Sequence, residues 1–186
     1  VGRYKRKDKR RWPSDGARGV TPKLCAPKGP NGRRVKQEPG RAKGTEMKMW
    51  IDTEFNEYKG ALISLALVAE DGREWYGVRF CDDPGWWVGE HVMPFLNKEP
   101  QRDDYLRASL HDFLEQFDSV QIVSDWPGDI AHFCNFLEYR PGDRIGPDTM
   151  TFEVRRDLPD TSKTSAIPHN ALEDARALAR GALAAV

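Results

Sequence analysis

The chain has 186 residues, 39% of them hydrophobic, with 29 Lys and Arg against 29 Asp and Glu. That size admits one globular domain with an appendage and excludes a multidomain assembly. The longest nearly apolar run, 61–69, is about half of what a bilayer span requires, and no apolar segment follows the basic N-terminus as it would in a secretory leader. A soluble, cytoplasmic protein without a membrane partner is expected. Cys25, Cys81 and Cys134 are odd in number, far apart and without Cys-x-x-Cys spacing, so neither a disulfide framework nor a zinc knuckle is encoded.

The zero net charge conceals a division. Residues 1–46 carry 15 Lys and Arg against 4 Asp and Glu, a balance of +11, which leaves 47–186 at −11. The basic piece holds 7 Gly, 5 Pro and only ten hydrophobic residues, too little apolar surface to offset chain entropy, so it is expected to be disordered. Its runs Lys5-Arg6-Lys7 and Lys9-Arg10-Arg11 suit phosphate neutralisation, which reads as a nucleic-acid tether. The alternative is an over-extended gene start, since Met47 and Met49 directly precede the first strong strand.

From Met47 the pattern is that of a folded domain. Residues 48–55 and 61–70 read as strands, Asp71-Gly72 as a hairpin turn and 74–80 as a third strand, which together make an antiparallel meander. A helix is predicted over 86–96 and another over 105–117, where Tyr105, Leu106, Leu110, Phe113, Leu114 and Phe117 recur at helical spacing. A short apolar strand at 120–123 precedes a helix after Pro127-Gly128. Residues 140–167 are rich in Pro, Gly and Asp, with one short strand at 150–154, and a last helix runs over 170–185. This order implies an α/β sheet of mixed direction, not a doubly wound parallel one.

Three elements carry chemistry. In Asp52-Thr53-Glu54 the two carboxylates alternate onto one face at the end of an apolar strand. Like charges so placed are costly unless a proton or a cation intervenes, and oxygen donors suit a hard divalent metal. The bland reading is a solvent-facing strand end. In Asp125-Trp126-Pro127-Gly128-Asp129, carboxylates stand where a sheet strand passes into a helix, the edge at which open α/β sheets bind ligands; an ordinary turn is the competing account. In His169-Asn170-Ala171-Leu172-Glu173-Asp174, Asn170 is a favoured N-cap and Glu173 completes a capping-box pattern. His169 and Asp174 then occupy the two positions that meet across a helix start, where a lone surface His is the alternative.

Taken in this order, the three elements resemble the DEDDh class of 3′-5′ exonucleases, DnaQ-like members of the ribonuclease H-like superfamily. Asp52 and Glu54 match the first motif, Asp129 the second, and His169 with Asp174 the third, His-x-x-x-x-Asp. The form Asp52-Thr53-Glu54-Phe55, with Trp87-Val88-Gly89-Glu90-His91-Val92 further on, is most similar to the small actinobacterial and phage exoribonucleases of that class. The resemblance implies an α/β fold with a ribonuclease H-like mixed sheet, three antiparallel strands followed by parallel ones, flanked by helices. It further implies a metal-dependent 3′-5′ exonuclease, in which Asp52, Glu54, Asp129 and Asp174 hold two Mg²⁺ or Mn²⁺ ions. His169 would be the general base, histidine being the side chain that titrates nearest neutrality. Asp129 is preferred over Asp125 as the second-motif ligand because it falls on the opening of the helix; Asp125, where relatives often have Asn, is assigned to substrate contacts.

The expected substrate is an RNA 3′ end, with single-stranded DNA as the alternative, and helix packing between copies into a homodimer fits the class. Phe55 and Trp126 are candidates for base stacking, although each also reads as a core aromatic. Two competing classes are a non-catalytic nucleic-acid-binding module on the same scaffold and an α/β interaction domain in which the motifs are coincidental.

Overall fold

The structure is a computed structural model that describes residues 46–184. The basic segment, with its expected disorder and tether role, lies outside the described residues except for Glu46.

Strands β1 (Met47–Phe55), β2 (Leu62–Ala69) and β3 (Glu74–Val78) form the expected antiparallel meander. The turn between β2 and β3 closes through the N–H of Ala69 donating to the Arg73 carbonyl (2.8 Å), and Gly72 supplies its left-handed φ of 88°. Two parallel strands, β4 (Ser119–Ser124) and β7 (Thr149–Val154), complete a five-stranded mixed sheet in the order β3-β2-β1-β4-β7. This mixed α/β architecture, flanked by helices, is compatible with the ribonuclease H-like arrangement that the resemblance implies.

Every residue of β2 is buried, as expected for a nearly continuous apolar run with helices on both faces. On one face Met49, Ile51, Leu65 and Leu67 pack with Leu106 and Leu110 of α2 (Asp103–Leu114) and Phe133 of α3 (Pro127–Leu137). On the other, Trp50, Ala66 and Val68 meet Ala171, Ala175, Leu178 and Ala182 of α5 (Ala171–Ala184). That stripe repeats at helical spacing, and its small side chains bring the helix close to β1 and β2.

Three expectations need correction. The helix predicted over 86–96 is instead α1 (Trp86–His91) followed by a 3-10 turn at Met93–Phe95. Pro94 has no N–H with which to continue the α-helical ladder. The helix predicted over 105–117 begins at Asp103, because Asp103 and Asp104 suit the positive end of the helix, and ends at Leu114. The stretch 140–167 holds more structure than one strand. Strands β5 (Glu138–Arg140) and β6 (Asp143–Arg144) pair as a small hairpin whose exposed charged residues show no apolar alternation. Helix α4 (Thr161–Thr164), capped by Asp160 accepting from the Ser162 N–H (3.2 Å), is too short to carry a period. Among the described residues, no helix is long and apolar enough to cross a membrane.

Candidate metal centre

The site forms where two parallel strands end side by side. Trp50 of β1 is in register with Val123 of β4, so Asp52 and Asp125, each two residues further on, arrive at the same edge. Asp129 enters from the first turn of α3, and Asp174 from the first turn of α5. One carboxylate oxygen from each of Asp52, Asp125 and Asp129 lies within 4.8 Å of the other two, and the same holds for Asp52, Glu54 and Asp174. Asp52 therefore belongs to both groups.

Asp129 is held on both sides. Its Oδ1 accepts from the Thr53 hydroxyl (2.7 Å) and its Oδ2 from the Ser124 hydroxyl (2.7 Å), and the residue is only 3% exposed. Thr53 can do this because strand alternation sends it to the α3 side of β1 while Asp52 and Glu54 face α5. Ser124, the last residue of β4, also accepts from the Trp126 N–H (2.9 Å), which shapes the turn into α3.

The third motif is built on a helix start. Asn170 caps α5, its Oδ1 accepting from the N–H groups of Leu172 and Glu173 (both 3.1 Å). The capping box expected through Glu173 does not form, since Glu173 pairs with Arg176 one turn on (2.6 Å). The return bond comes instead from Asp174, whose Oδ2 accepts from the backbone N–H of His169 (3.1 Å). His169 takes a left-handed φ of 66°, a conformation that His tolerates better than most residues. The two residues thus meet as the sequence suggests, through the His169 backbone.

The electrostatics are those of crowded acids. Burial, then repulsion from Asp129, Glu54, Asp174 and Asp125, holds the Asp52 carboxyl well above the ordinary range. Glu54 is pushed up to about 8 by burial and by Asp174 and Asp129. Burial raises Asp129 to about 6 against the pull of its two hydroxyl donors. Asp125 and Asp174 are raised as well, burial again being the largest cause. Among the described residues, none of the five is in an ion pair. Asp174 is 5% exposed, with the Ser165 hydroxyl close to its carboxylate. A group of crowded, mostly buried acids, with only Arg156 near Asp125 as an opposite charge, fits a divalent cation.

The structure therefore brings Asp52, Glu54, Asp125, Asp129 and Asp174 together, with His169 beside Asp174. Phe55, at a register shift in β1, is partly buried and stacks on His132 of α3 (4.6 Å between ring centres, 24° between planes). Trp126 is not a core residue: it is 49% exposed, with the Arg156 guanidinium 4.9 Å from its ring centre. Sequence reasoning missed Thr53, which reaches Asp129 across 76 residues, and Ser124, which reaches it across the turn into α3. Thr53 alone carried a signal, as the residue between two candidate ligands.

No family model matches the chain. Among curated proteins it is similar to the 3′-5′ exoribonuclease Rv2179c of Mycobacterium tuberculosis strain ATCC 25618 / H37Rv, with 33% identity over 148 residues that cover 70% of this chain and 88% of the relative. The 3′-5′ exoribonuclease MT2234.1 of strain CDC 1551 / Oshkosh matches with the same identity and coverage. At that identity, and over nearly the whole relative, the chain belongs to the family of these 3′-5′ exoribonucleases.

Proposed function

We propose that this protein is a metal-dependent 3′-5′ exoribonuclease of the DEDDh class that releases nucleoside 5′-monophosphates from RNA 3′ ends. The observation that carries the proposal is the placement of Asp52 in two carboxylate groups at once. The family membership supports the direction of attack and the substrate class.

In this reading Asp52, Glu54 and Asp174 would hold one Mg²⁺ or Mn²⁺ ion, and Asp52 with Asp129 would hold a second, to which Asp125 is near enough to contribute. When bound, such a pair supplies a more acidic water and charge neutralisation at the scissile phosphate. His169 accepts the proton of the attacking water, and the 3′-oxygen of the preceding nucleotide is the leaving group. Thr53 and Ser124 keep the Asp129 carboxylate oriented through the cycle. The exposed Trp126 and the partly buried Phe55 are the candidate base contacts, and the basic segment 1–46 is proposed as the RNA tether of a catalytic domain spanning 47–186.

One assay tests the proposal directly. RNA and DNA oligomers labelled at the 3′ or the 5′ end are incubated with Mg²⁺, with Mn²⁺ and with chelator. Release of labelled mononucleotide at once from 3′-labelled RNA, and a descending ladder from 5′-labelled RNA, both abolished by chelator, is expected. Binding without any release in either metal would move the protein to the non-catalytic class.

A further inference from the structure

Beside His169 lies an aromatic arrangement that the carboxylate chemistry does not use. The Trp87 and His169 rings meet edge to face, with centres 5.0 Å apart and planes at 88°. Trp87 is in turn stacked on His91, one helical turn later, at 4.7 Å and 7°. The His91 ring is itself fixed, its Nδ1–H donating to the Trp87 carbonyl (2.9 Å). Trp87 remains 45% exposed.

The segment that carries Trp87 is fastened to the carboxylate site at both ends. At its start, Asn56, two residues beyond Glu54, accepts from the Gly85 N–H (2.7 Å) and donates to the Asp83 carbonyl (2.9 Å). At its end, the side-chain amide of Asn170, the residue after His169, donates to the Phe95 carbonyl (2.7 Å). Between these ties Val88, Val92 and Leu96 are buried against Ile63 and Val78. One asparagine thus ties α1 to the first motif and the other ties the following turn to the third. The left-handed backbone of His169, which lies outside any regular element, gives its side chain no comparable support.

We infer that Trp87 is a positioning residue that seats the His169 imidazole, and that Asn56 and Asn170 fix the distance between that seat and the carboxylates. The inference rests on the nuclease reading for its kinetic consequence, although the ring contact itself does not. Aromatic pairs of this geometry contribute modestly to stability, so the effect belongs in the orientation of the base and not in the fold.

The test uses the full chain. Trp87→Ala, Trp87→Phe and Asn56→Ala are compared with the unmodified protein for kcat and KM on an RNA oligomer in Mn²⁺. The stabilisation of each variant by Mn²⁺ and the imidazole C–H resonances of His169 are recorded alongside. Trp87→Ala is expected to lower kcat by about 10- to 100-fold with KM changed less than about twofold, the cost of a loosened catalytic group. The Mn²⁺ stabilisation should persist, and Trp87→Phe, which keeps a ring, should recover most of the rate. Asn56→Ala touches neither ring and should lower kcat in the same direction. The His169 imidazole resonances should lose their ring-current shift in Trp87→Ala. A rise in KM with kcat intact would overturn the inference and make Trp87 a base platform instead. Unchanged His169 resonances would overturn it whether or not the protein is active. Absence of nucleotide release by the unmodified protein would instead reject the nuclease reading and leave the resonance test to decide the seat.

Discussion

The hydroxyl of Thr53 donates a 2.7 Å hydrogen bond to Oδ1 of Asp129, joining the middle of the first motif to the second across 76 residues of chain. The bond is buried and one of its partners is a carboxylate, which places it among the stronger hydrogen bonds of a protein. Thr53→Val keeps the shape and removes the donor. It should cost about 1–3 kcal/mol in thermal denaturation and raise the affinity of Asp129 for its proton. Nucleotide release should then fall at neutral pH and recover towards alkaline pH, while Thr53→Ser should restore both properties. An unaltered pH–rate profile in Thr53→Val would show that Asp129 does not depend on this donor.

Asp52 is shared by both carboxylate groups. Asp52→Asn should therefore abolish stabilisation by Mn²⁺ and lower the release rate by about three orders of magnitude, the scale of losing a principal electrostatic contribution. In chelator the same variant should melt at a higher temperature than the unmodified protein, because an acid whose ionisation burial and four neighbouring carboxyls oppose has gone. Retention of the Mn²⁺-induced shift would contradict a cation site centred on this residue.

The pH dependence of the cation-free protein follows from Glu54 and Asp129, pushed up to about 8 and about 6. Both sit above the carboxylate range near 4 that holds in the unfolded chain, so over that interval the folded protein binds protons that the unfolded chain has already released. Stability in chelator should fall as pH climbs from about 4 to about 8 and level off above that. Saturating Mn²⁺ should flatten or reverse the slope, since cations replace protons in neutralising the cluster. Melting curves at about pH 5 and about pH 8.5, with chelator and with Mn²⁺, measure both slopes, and a cation-free stability that rises over this interval would contradict the crowding of these acids.

Asn170 performs two tasks with opposite ends of one amide, capping α5 with Oδ1 and tying the 3-10 turn with Nδ2. Asn170→Ala should cost about 1–3 kcal/mol and reduce activity, while Asn170→Ser, which keeps an oxygen for the cap, should regain about 1 kcal/mol. The serine variant lacks the tie to Phe95, so its activity should lag behind its recovered stability. Equal recovery of both in denaturation and rate measurements would show that the tie to Phe95 has no catalytic consequence.

Removal of residues 1–46 should leave turnover of short oligomers unchanged and weaken affinity for long RNA mainly at low salt, because the proposed tether would act through the +11 charge of that segment on the phosphates. Titrations of long RNA at low and high salt would reveal the difference. A truncated chain that fails to fold would place the domain boundary elsewhere.

The sequence by itself determined the meander, the presence of a strand at β4, the helix starts at Pro127 and Asn170, and the identity of the acids that could meet. Each of these depends on local periods, turn residues and caps, whose physics is contained within a few consecutive residues. It could not show that Asp125 as well as Asp129 stands within 4.8 Å of Asp52, because the proximity of Asp125 comes from the parallel register of β1 on β4. Nor could it show that Thr53 and Ser124 grip Asp129, that Asp174 meets His169 through the backbone, or that Trp87 rests against the His169 ring. The Thr53–Asp129 and Trp87–His169 contacts join segments far apart in the chain, and the packing of α1, α3 and α5 on a common sheet decides them; Ser124–Asp129 and His169–Asp174 are five residues apart and depend on a turn geometry that spacing alone does not fix.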